Sequence, residues 1–592
     1  MIVFAEWAYQ KYLGVVEVQA VADYDENADE LPLEEKFVEQ AEYMDTKNFL
    51  EWTTEHPNEE QILKKLCSGG AKLLVGPRGC GKTTLMLKAF YSTAKDSSQT
   101  IFPIYVNFKL SLKIEPLYLN TPNAGFWFRA WLSLKIYEAV YKSKDELEFC
   151  ALPPSIPPLK EVIRMLAAIE AGKLGSQIDD KLYNVEGLGA SISDIIDLNG
   201  YTRCILFLDD AAHAFSPRQQ EDFFDFYRQI KSKEISPKAA IYPGITNHSP
   251  NFHVGHDAEQ IDAWLRPDDS VYLKFMRDLA EKRFDGVLPK TLNDSPEYLD
   301  LLAYASFGIP RAFLNMLRLV YHYDEKRRGH KESVPRLRIF EIVKEGRRLS
   351  HAVYDSLAYK LPAYKLFIDS GQNIYQKIVS NIKNFNKSKE IFDHGVEVGI
   401  KRPISPELRK VIGFFQYAGL LMSSGETSRG IKGVFEVYKL HYGDLITENA
   451  VVGKRTKTVR LFLTVFKSSA HQAWPRVSPE TLADPDDFSS MFRLTLPNCQ
   501  NCGAERLNEN AKFCHNCGAA LKSASIYDEL VNQDIGILPI SKRMVRRIKE
   551  ESSIRKIKDI LIDSDRTNLR SVKHIGPARA TRIASAAEEY VA

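Results

Sequence analysis

The sequence lacks any long hydrophobic run. No apolar stretch approaches the roughly 18–20 residues a membrane helix needs, so no membrane partner is expected. The opening stretch, MIVFAEWAYQKYLG, is interrupted by Glu6 and Lys11 and has neither a basic start nor a small-residue cleavage site. No secretory leader is expected, and the implied location is cytoplasmic. Net charge is nearly absent, at +2. Cysteine is scarce, eight in 592 residues, which argues against a disulfide-stapled fold. No nuclease, polymerase, protease or deaminase constellation is visible, so such chemistry would come from a partner chain. What is present, 44% apolar and 26% charged residues in 67.4 kDa, is ordinary globular composition and excludes a wholly disordered, collagen-like or coiled-coil chain. The length corresponds to about three to five domains.

The near-zero net charge hides an uneven distribution. Residues 17–45 hold eleven acids against one base, Lys36, whereas residues 541–582 hold thirteen bases against five acids. An acidic head thus precedes the folded part and a basic tail ends the chain, and a tail of that kind makes nucleic acid a reasonable partner. The head reads as a solvated segment, or more sharply as a competitor with nucleic acid for a basic surface.

Residues 72–90, KLLVGPRGCGKTTLMLKAF, place a short apolar strand before Gly76, Pro77, Arg78, Gly79, Cys80, Gly81, Lys82, Thr83 and Thr84, with a helix predicted from Thr83 to about Tyr91. This is G-x-x-x-x-G-K-[ST] in a strand–loop–helix setting. Glycines let the backbone turn its N–H groups toward a phosphate, and the helix N-terminus adds partial positive charge. Lys82 is placed to reach the β- and γ-phosphates of ATP, and the Thr83 hydroxyl to ligate Mg²⁺. A second apolar run, Cys204 to Leu208, ends in Asp209 and Asp210. It suits a buried parallel strand. Asp209 is the candidate magnesium holder and Asp210 the candidate for orienting or deprotonating the attacking water. Glutamate is commoner at that second position, so slow hydrolysis is expected. A third strand is predicted at Ala239–Ile245, ending in Thr246 and Asn247, and Asn247 or Thr246 is the candidate γ-phosphate sensor. His248, His253, His256 and Asp257 follow on one loop, without helical spacing, and read as a loop near the nucleotide or a subunit contact rather than a metal site.

Beyond a predicted helix at Glu297–Ala305, Ser306-Phe-Gly308-Ile-Pro310-Arg311 ends one helix with Gly and starts the next with Pro. A P-loop, an acid-ended strand, a polar-tipped strand and a helical lid carrying G-x-P-R together resemble AAA+ ATPases, with the origin-recognition/Cdc6-like group and related signalling P-loop ATPases nearest. The resemblance covers residues 40–450. It implies a helical lid whose Arg311 senses the γ-phosphate. Two features depart from it. Lys82 and Asp209 stand 127 positions apart, with an aromatic block, Phe126-Trp-Phe-Arg-Ala-Trp131, and a Pro-rich stretch between them, which reads as an inserted helical subdomain. No arginine is identifiable as a finger reaching a neighbour's nucleotide; Arg218, Arg266 and Arg283 are the candidates.

Three further modules are predicted. Helices at Ile374–Ile382 and from Ser405-Pro406 to Ala418, followed by a hairpin closing with Val434–Leu440, resemble a winged helix. Arg409 and Lys410 on its second helix, and Arg429 and Lys432 on its wing, are candidates for nucleic-acid phosphates, with protein packing as the equal alternative. Cys499, Cys502, Cys514 and Cys517 form C-x2-C-x11-C-x2-C, in which four thiolates suit a structural Zn²⁺. A stretch this short cannot build a core without metal. Leu569 to Ile583 resembles a helix-hairpin-helix motif, whose turn grips a nucleic-acid phosphate through backbone amides. His574 stands where that motif has its first glycine. Ile575, Gly576, Arg579 and Arg582, with Lys542, Arg543, Arg546 and Arg547 upstream, are its nucleic-acid candidates.

The expected fold class is therefore multi-domain α/β: a parallel-sheet P-loop ATPase with helical lid, winged helix, zinc ribbon and helix-hairpin-helix. The expected boundaries are 1–45 acidic segment; 46–270 ATPase core with a helical insertion at about 110–200; 271–350 lid; 351–460 winged helix; 461–496 linker; 497–522 zinc ribbon; and 523–592 basic helical region. The expected function is an ATP-binding and hydrolysing switch that binds nucleic acid, DNA foremost, and recruits or loads a partner such as a helicase, nuclease or other effector. The alternative is a prokaryotic signalling or anti-phage defence ATPase that forms homo-oligomers on binding nucleotide and trigger. The expected cofactors are ATP, Mg²⁺ and Zn²⁺.

Overall fold

Four largely apolar strands and one short polar edge strand assemble into one parallel sheet, as seen in a computed structural model of the chain. The structure describes residues 46–95, 100–109, 111–120, 123–147, 150–172, 183–210, 216–326, 336–468, 473–496, 526–563 and 565–591, together with residues 41, 44 and most of 498–521. The acidic segment expected at 1–45 lies, apart from those two residues, outside the described ones.

The strands are β1 (Lys72–Val75), β2 (Ile101–Asn107), β3 (Arg203–Asp209), β4 (Ile235–Ile241) and β5 (Glu259–Asp262). Their order across the sheet is β2-β3-β4-β1-β5, every neighbouring pair parallel. Parallel strands are covered on both faces, which is why β3 and β4 read as nearly continuous buried runs. Pro103 is tolerated because β2 is an edge strand. Lys238, fully buried on β4, is held by donating to the Ser68 carbonyl at 2.6 Å and to the Gly70 carbonyl.

Helix α1 (Lys82–Ala94) follows β1. The insertion supplies α2 (Ala124–Glu146), α3 (Leu159–Glu170) and α4 (Val185–Asn199), and α5 (Pro217–Ile230) follows β3. The insertion is not a separate body. Trp131, Tyr137, Val162 and Ile195 share one core with Phe102, Ile104, Leu206 and Leu208 of the sheet.

The segment expected as a lid carries α6 (Tyr272–Arg283), α7 (Pro296–Ala305), α8 (Pro310–Lys326) and α9 (Arg336–Lys360). The boundary expected at 350/351 is not there, because α9 runs straight through it. Next come α10 (Lys365–Asn386), β6 (Glu397–Lys401), α11 (Pro406–Tyr417), the hairpin β7 (Leu421–Ser428) and β8 (Val434–Leu440), and α12 (Val459–Lys467). Ser405 caps α11 through its hydroxyl and Pro406 opens it, as the sequence predicts. The described residues of 461–496, a segment expected as a linker, are folded. Most of α12 lies in this segment, and β9 (Arg476–Val477) adds to β6 in a sheet of order β7-β8-β6-β9, while Trp474, Leu482 and Phe492 are buried. Those apolar anchors outweigh the polar, Pro-containing composition that suggested a linker. One continuous core joins Leu74 and Phe90 of the sheet layer to Leu302 and Leu317 of the lid and to Phe414 and Phe466 beyond it.

The C-terminal region carries α13 (Lys542–Glu551) and α14 (Pro577–Val591) with shorter helices around a small core of Ile548, Ile557, Leu569 and Ile583. Leu112 belongs to the same core, and the Tyr527 amide donates to Glu115 at 2.9 Å, so this module is docked on the insertion. Among the described residues no helix is long and apolar enough to cross a membrane.

Helix α11 meets the P-loop core where two glycines touch. Gly244 has φ +76°, and a side chain on it would run into the Gly413 backbone. A Gly413→Val variant is expected to overpack this seam and lose about 1–3 kcal/mol in urea unfolding followed by tryptophan fluorescence.

Candidate functional site

The P-loop is shaped by Gly79 (φ +83°) and Gly81 (φ +101°), conformations that a side chain would strain. Gly79, Cys80, Gly81, Lys82, Thr83 and Thr84 line one cavity together with Arg78, Asp210, Tyr242, Arg311 and Glu589. Gly76 and Pro77 do not line the cavity. Lys82 is buried; its Nζ donates to the Gly76 carbonyl at 2.8 Å and the Pro77 carbonyl at 3.0 Å and lies 3.7 Å from the centre of the Tyr242 ring.

The two aspartates at the end of β3 differ. Asp209 is fully buried, accepts from the Tyr105 hydroxyl at 2.8 Å and from the Asp210 amide at 3.0 Å, and is not among the residues lining the cavity. Asp210 takes a left-handed backbone (φ 51°), which brings it into the cavity, where the Tyr242 hydroxyl donates to it at 2.6 Å.

The third strand ends earlier than predicted, at Ile241, and the chain turns at Gly244. Thr246 therefore bonds back to the Tyr242 backbone, and the Asn247 amide donates to Gln220 of α5 at 2.5 Å. Neither residue lines the cavity; Tyr242, the first residue past β4, stands there instead. Downstream, His248 packs against Phe224 and Phe252, and burial pushes its pKa down. His253 and Asp257 close a turn on themselves.

The lid reaches the loop through α8. The preceding turn uses Phe307 (φ 55°) and Gly308 (φ +74°), and a side chain on Gly308 would strike the Leu265 carbonyl. That turn sets Arg311 against Gly79, whose carbonyl accepts from the Arg311 amide at 3.4 Å. Of the finger candidates, Arg283 lines this same cavity from α6. Arg266 pairs with Asp268 at 3.6 Å and donates to the Ser423 carbonyl at 3.3 Å. Arg218 sits in the first turn of α5, away from the cavity.

Two sets of residues at the cavity carry no signal in the P-loop motif. At the apolar end stand Trp52, His56, Phe275 and Leu314. Burial first, and then Lys88, holds the His56 pKa at about 4, so the ring is neutral. Its Nδ1 accepts from the Asn58 amide at 3.1 Å, which leaves the proton on Nε2. That Nε2 and the Thr54 hydroxyl are buried without partners. At the charged end, Lys109 and Glu589 join Arg78 and Arg311, with the buried Lys360 in contact with Glu589. The Glu589 carboxylate lies 3.2 Å from Arg78 Nε and contacts the Arg311 guanidinium. Its main-chain carbonyl accepts from Arg78 Nη2 at 2.8 Å and from Lys360 Nζ at 3.2 Å. Position alone could have found Lys109 and Tyr242, which follow the carboxyl ends of β2 and β4. Nothing local marks Lys360 or Glu589.

The residues fit a nucleotide with magnesium. The loop presents its glycines and the α1 N-terminus, Thr83 faces the cavity, and the cations already hold one anion, the Glu589 carboxylate. The cysteines fit zinc. Among the described residues theirs is the one group of three or more His, Cys, Asp or Glu side chains whose ligand atoms converge, all within 4.8 Å. Sγ atoms of Cys499 and Cys517, and of Cys502 and Cys514, are 3.6 Å apart. Tetrahedral bonds of about 2.3 Å separate sulfurs by about 3.8 Å. Gly503 (φ +72°) and Gly518 (φ +68°) close the two knuckles in the same way.

The nucleic-acid candidates divide. Helix α11 is largely buried, its backbone meeting Arg78 at the Tyr417 carbonyl. Arg409 pairs with Glu436 at 2.8 Å, and Lys410 lies over the Tyr364 and Phe414 rings. These contacts support the packing alternative for this helix, although Arg409 itself stays exposed. The wing is open: Arg429, Ile431 and Lys432 are exposed, with Ile431 entirely so. On α13, Lys542, Arg543 and Arg546 are exposed, and Arg547 is half-buried beside Glu551. In the hairpin, His574 takes the left-handed conformation (φ 68°) of the glycine it replaces. Ile575 is buried and its amide is spent on the Val572 carbonyl, so it does not offer a phosphate donor; Gly576 is exposed, and Arg579 and Arg582 are half-buried on α14.

A β2-β3-β4-β1-β5 parallel sheet with a glycine-rich loop between β1 and α1 is a P-loop α/β fold. No protein-family model matches the chain, and no curated protein does. Solved structures that are similar include an Aeropyrum pernix Orc1 protein in complex with DNA (17% identity, 68% of this chain and 94% of that one, TM-score 0.29). Others are a Walker-type ATPase of Pyrococcus abyssi (12%, 66% and 93%, TM-score 0.36) and Cdc6p of Pyrobaculum aerophilum (14%, 70% and 97%, TM-score 0.27). These overlaps are loose, and the sheet order and the cavity stand independently of them.

Purified protein is expected to carry about one zinc per chain, because four thiolates close a tetrahedral shell. A Cys514→Ser variant is expected to lose most of it by plasma mass spectrometry while still binding labelled ATP.

Proposed function

We propose that the chain is a Mg-ATP-dependent switch that binds nucleic acid, DNA foremost, and recruits a partner chain to it. The observation that carries this reading is the convergence of the P-loop, Asp210, Tyr242 and the lid's Arg311 on one cavity at the carboxyl ends of the central strands. Trp52, His56 and Phe275 would hold the base, with His56 Nε2 donating to it. Gly79 to Thr84 would cradle the phosphates, and Thr83, backed by Asp209, would hold magnesium. The ion would neutralise charge on the β- and γ-phosphates. Asp210, oriented by the Tyr242 hydroxyl, would accept a proton from the attacking water, and Arg311 would report the terminal phosphate to the lid.

The nucleic-acid surface in this reading is the exposed face of α13, the hairpin turn at Gly576 and the wing tip, with the zinc ribbon as a fourth tethered module. Each contact alone is weak, and tethering raises their joint affinity. Chemistry on the nucleic acid would belong to the recruited chain.

Anisotropy of a labelled duplex with ATP, with ADP and without nucleotide tests the proposal. Retention with ATP is expected to be about tenfold tighter than with ADP, a difference of about 1.4 kcal/mol, and to weaken steeply with salt. Lys82→Ala is expected to abolish the ATP effect. Equal retention by Lys82→Ala and wild type in ATP would sink the switch.

A further inference from the structure

The last turn of α14 enters the mouth of the nucleotide cavity and carries Glu589 between the P-loop and the lid. Its carboxylate and main-chain carbonyl together occupy Arg78, Arg311 and Lys360, and the neighbouring Glu588 meets Lys109 at 3.6 Å. Only a quarter of the Glu589 side chain is exposed. Burial works against its charge, but Arg311, Arg78, Lys109 and Lys360 outweigh it and hold its pKa at about 2, so the group is an anion at any ordinary pH.

The docking of the C-terminal module does not require this contact. Leu112 lies within that module's own core, and Glu115 receives the Tyr527 amide, so the module is already anchored on the insertion. The Glu589 contact is a separate, charge-directed one, and it falls on the arginines that face the phosphate loop. A carboxylate and a terminal phosphate cannot both lie against Arg311 without placing two anions side by side. A phosphate brings more charge and more acceptor oxygens to the same guanidinium.

We propose that Glu589 is an internal competitor for the place of the nucleotide's terminal phosphate. A triphosphate evicts it, releases α14 and frees the basic module. A diphosphate lacks the competing group and leaves the module docked. This rests on the nucleotide reading above and adds to it the element that distinguishes ATP from ADP. The two ends of α14 would then be the two ends of the switch. Gly576 at the hairpin lies about 20 Å from Glu589, thirteen residues at about 1.5 Å each.

The test compares fluorescent ATP and ADP analogues on wild type and Glu589→Gln, each full-length and zinc-loaded. The substitution keeps the shape and removes the charge. The ratio of ATP to ADP affinity is expected to rise about tenfold in Glu589→Gln, as it would if the site were open about one-tenth of the time in wild type. Hydrogen exchange on the unmodified protein is the second measurement: amides of residues 577–591 are expected to exchange faster with a slowly hydrolysed ATP analogue than with ADP. An unchanged or lowered ratio, or exchange at 577–591 that is equal in the two nucleotides, overturns the competitor while leaving nucleotide binding standing. Failure of both proteins to bind either nucleotide overturns the nucleotide reading and the competitor with it.

Discussion

Several cations gathered in a partly buried space cannot persist without an anion among them. Arg78 comes from the P-loop, Lys109 from the end of β2, Arg311 from the lid and Lys360 from the end of α9. Like charges repel strongly where water is excluded, and removing one partner from such a set leaves uncompensated charge. Burial, and then the neighbouring Arg78, pushes the Lys360 pKa well below its usual range, and Glu589 works the other way. The sheet edge, the lid and the C-terminal module all close on this point, and the Glu589 carboxylate balances it here.

What the sequence makes legible is local. The P-loop needs one run of residues, the zinc ligands need two short pairs, and the lid turn needs Gly308 and Pro310 ahead of Arg311. Each is written in consecutive positions: the loop opens α1, Pro310 opens α8, and the four cysteine sulfurs converge. Tertiary contacts are not written that way. Glu589 meets Arg311 across 278 positions, and no periodicity points to it. The third strand shows how a small shift matters. It begins at Ile235 and includes Pro237, which discourages a strand reading there, so the predicted end lies four residues late and the residue that stands at the cavity, Tyr242, is not among the sensors the sequence suggests.

Helix α11 shows the same limit. Its apolar positions suit a recognition helix packed on its own small domain, but they suit a seam equally well. The choice was made by Gly413, whose missing side chain lets the Gly244 turn approach. Once α11 is committed to the core, the wing is what that domain still offers to a partner. Arg429 lies against the Trp474 ring at 5.3 Å, which steadies the base of the wing beneath the exposed Ile431.

Helix α14 has a polarity as well as a length. The peptide dipoles of a helix sum to partial positive charge at its first turn and partial negative charge at its last. Here the last turn offers a main-chain carbonyl to Arg78 and Lys360, while the first turn, at Pro577, opens from an exposed basic hairpin. One rod therefore presents its negative pole to the protein's own cations and its positive pole to solvent. An anion that settles at the hairpin would thus meet the favourable pole of the same helix whose opposite pole faces the protein's own cations.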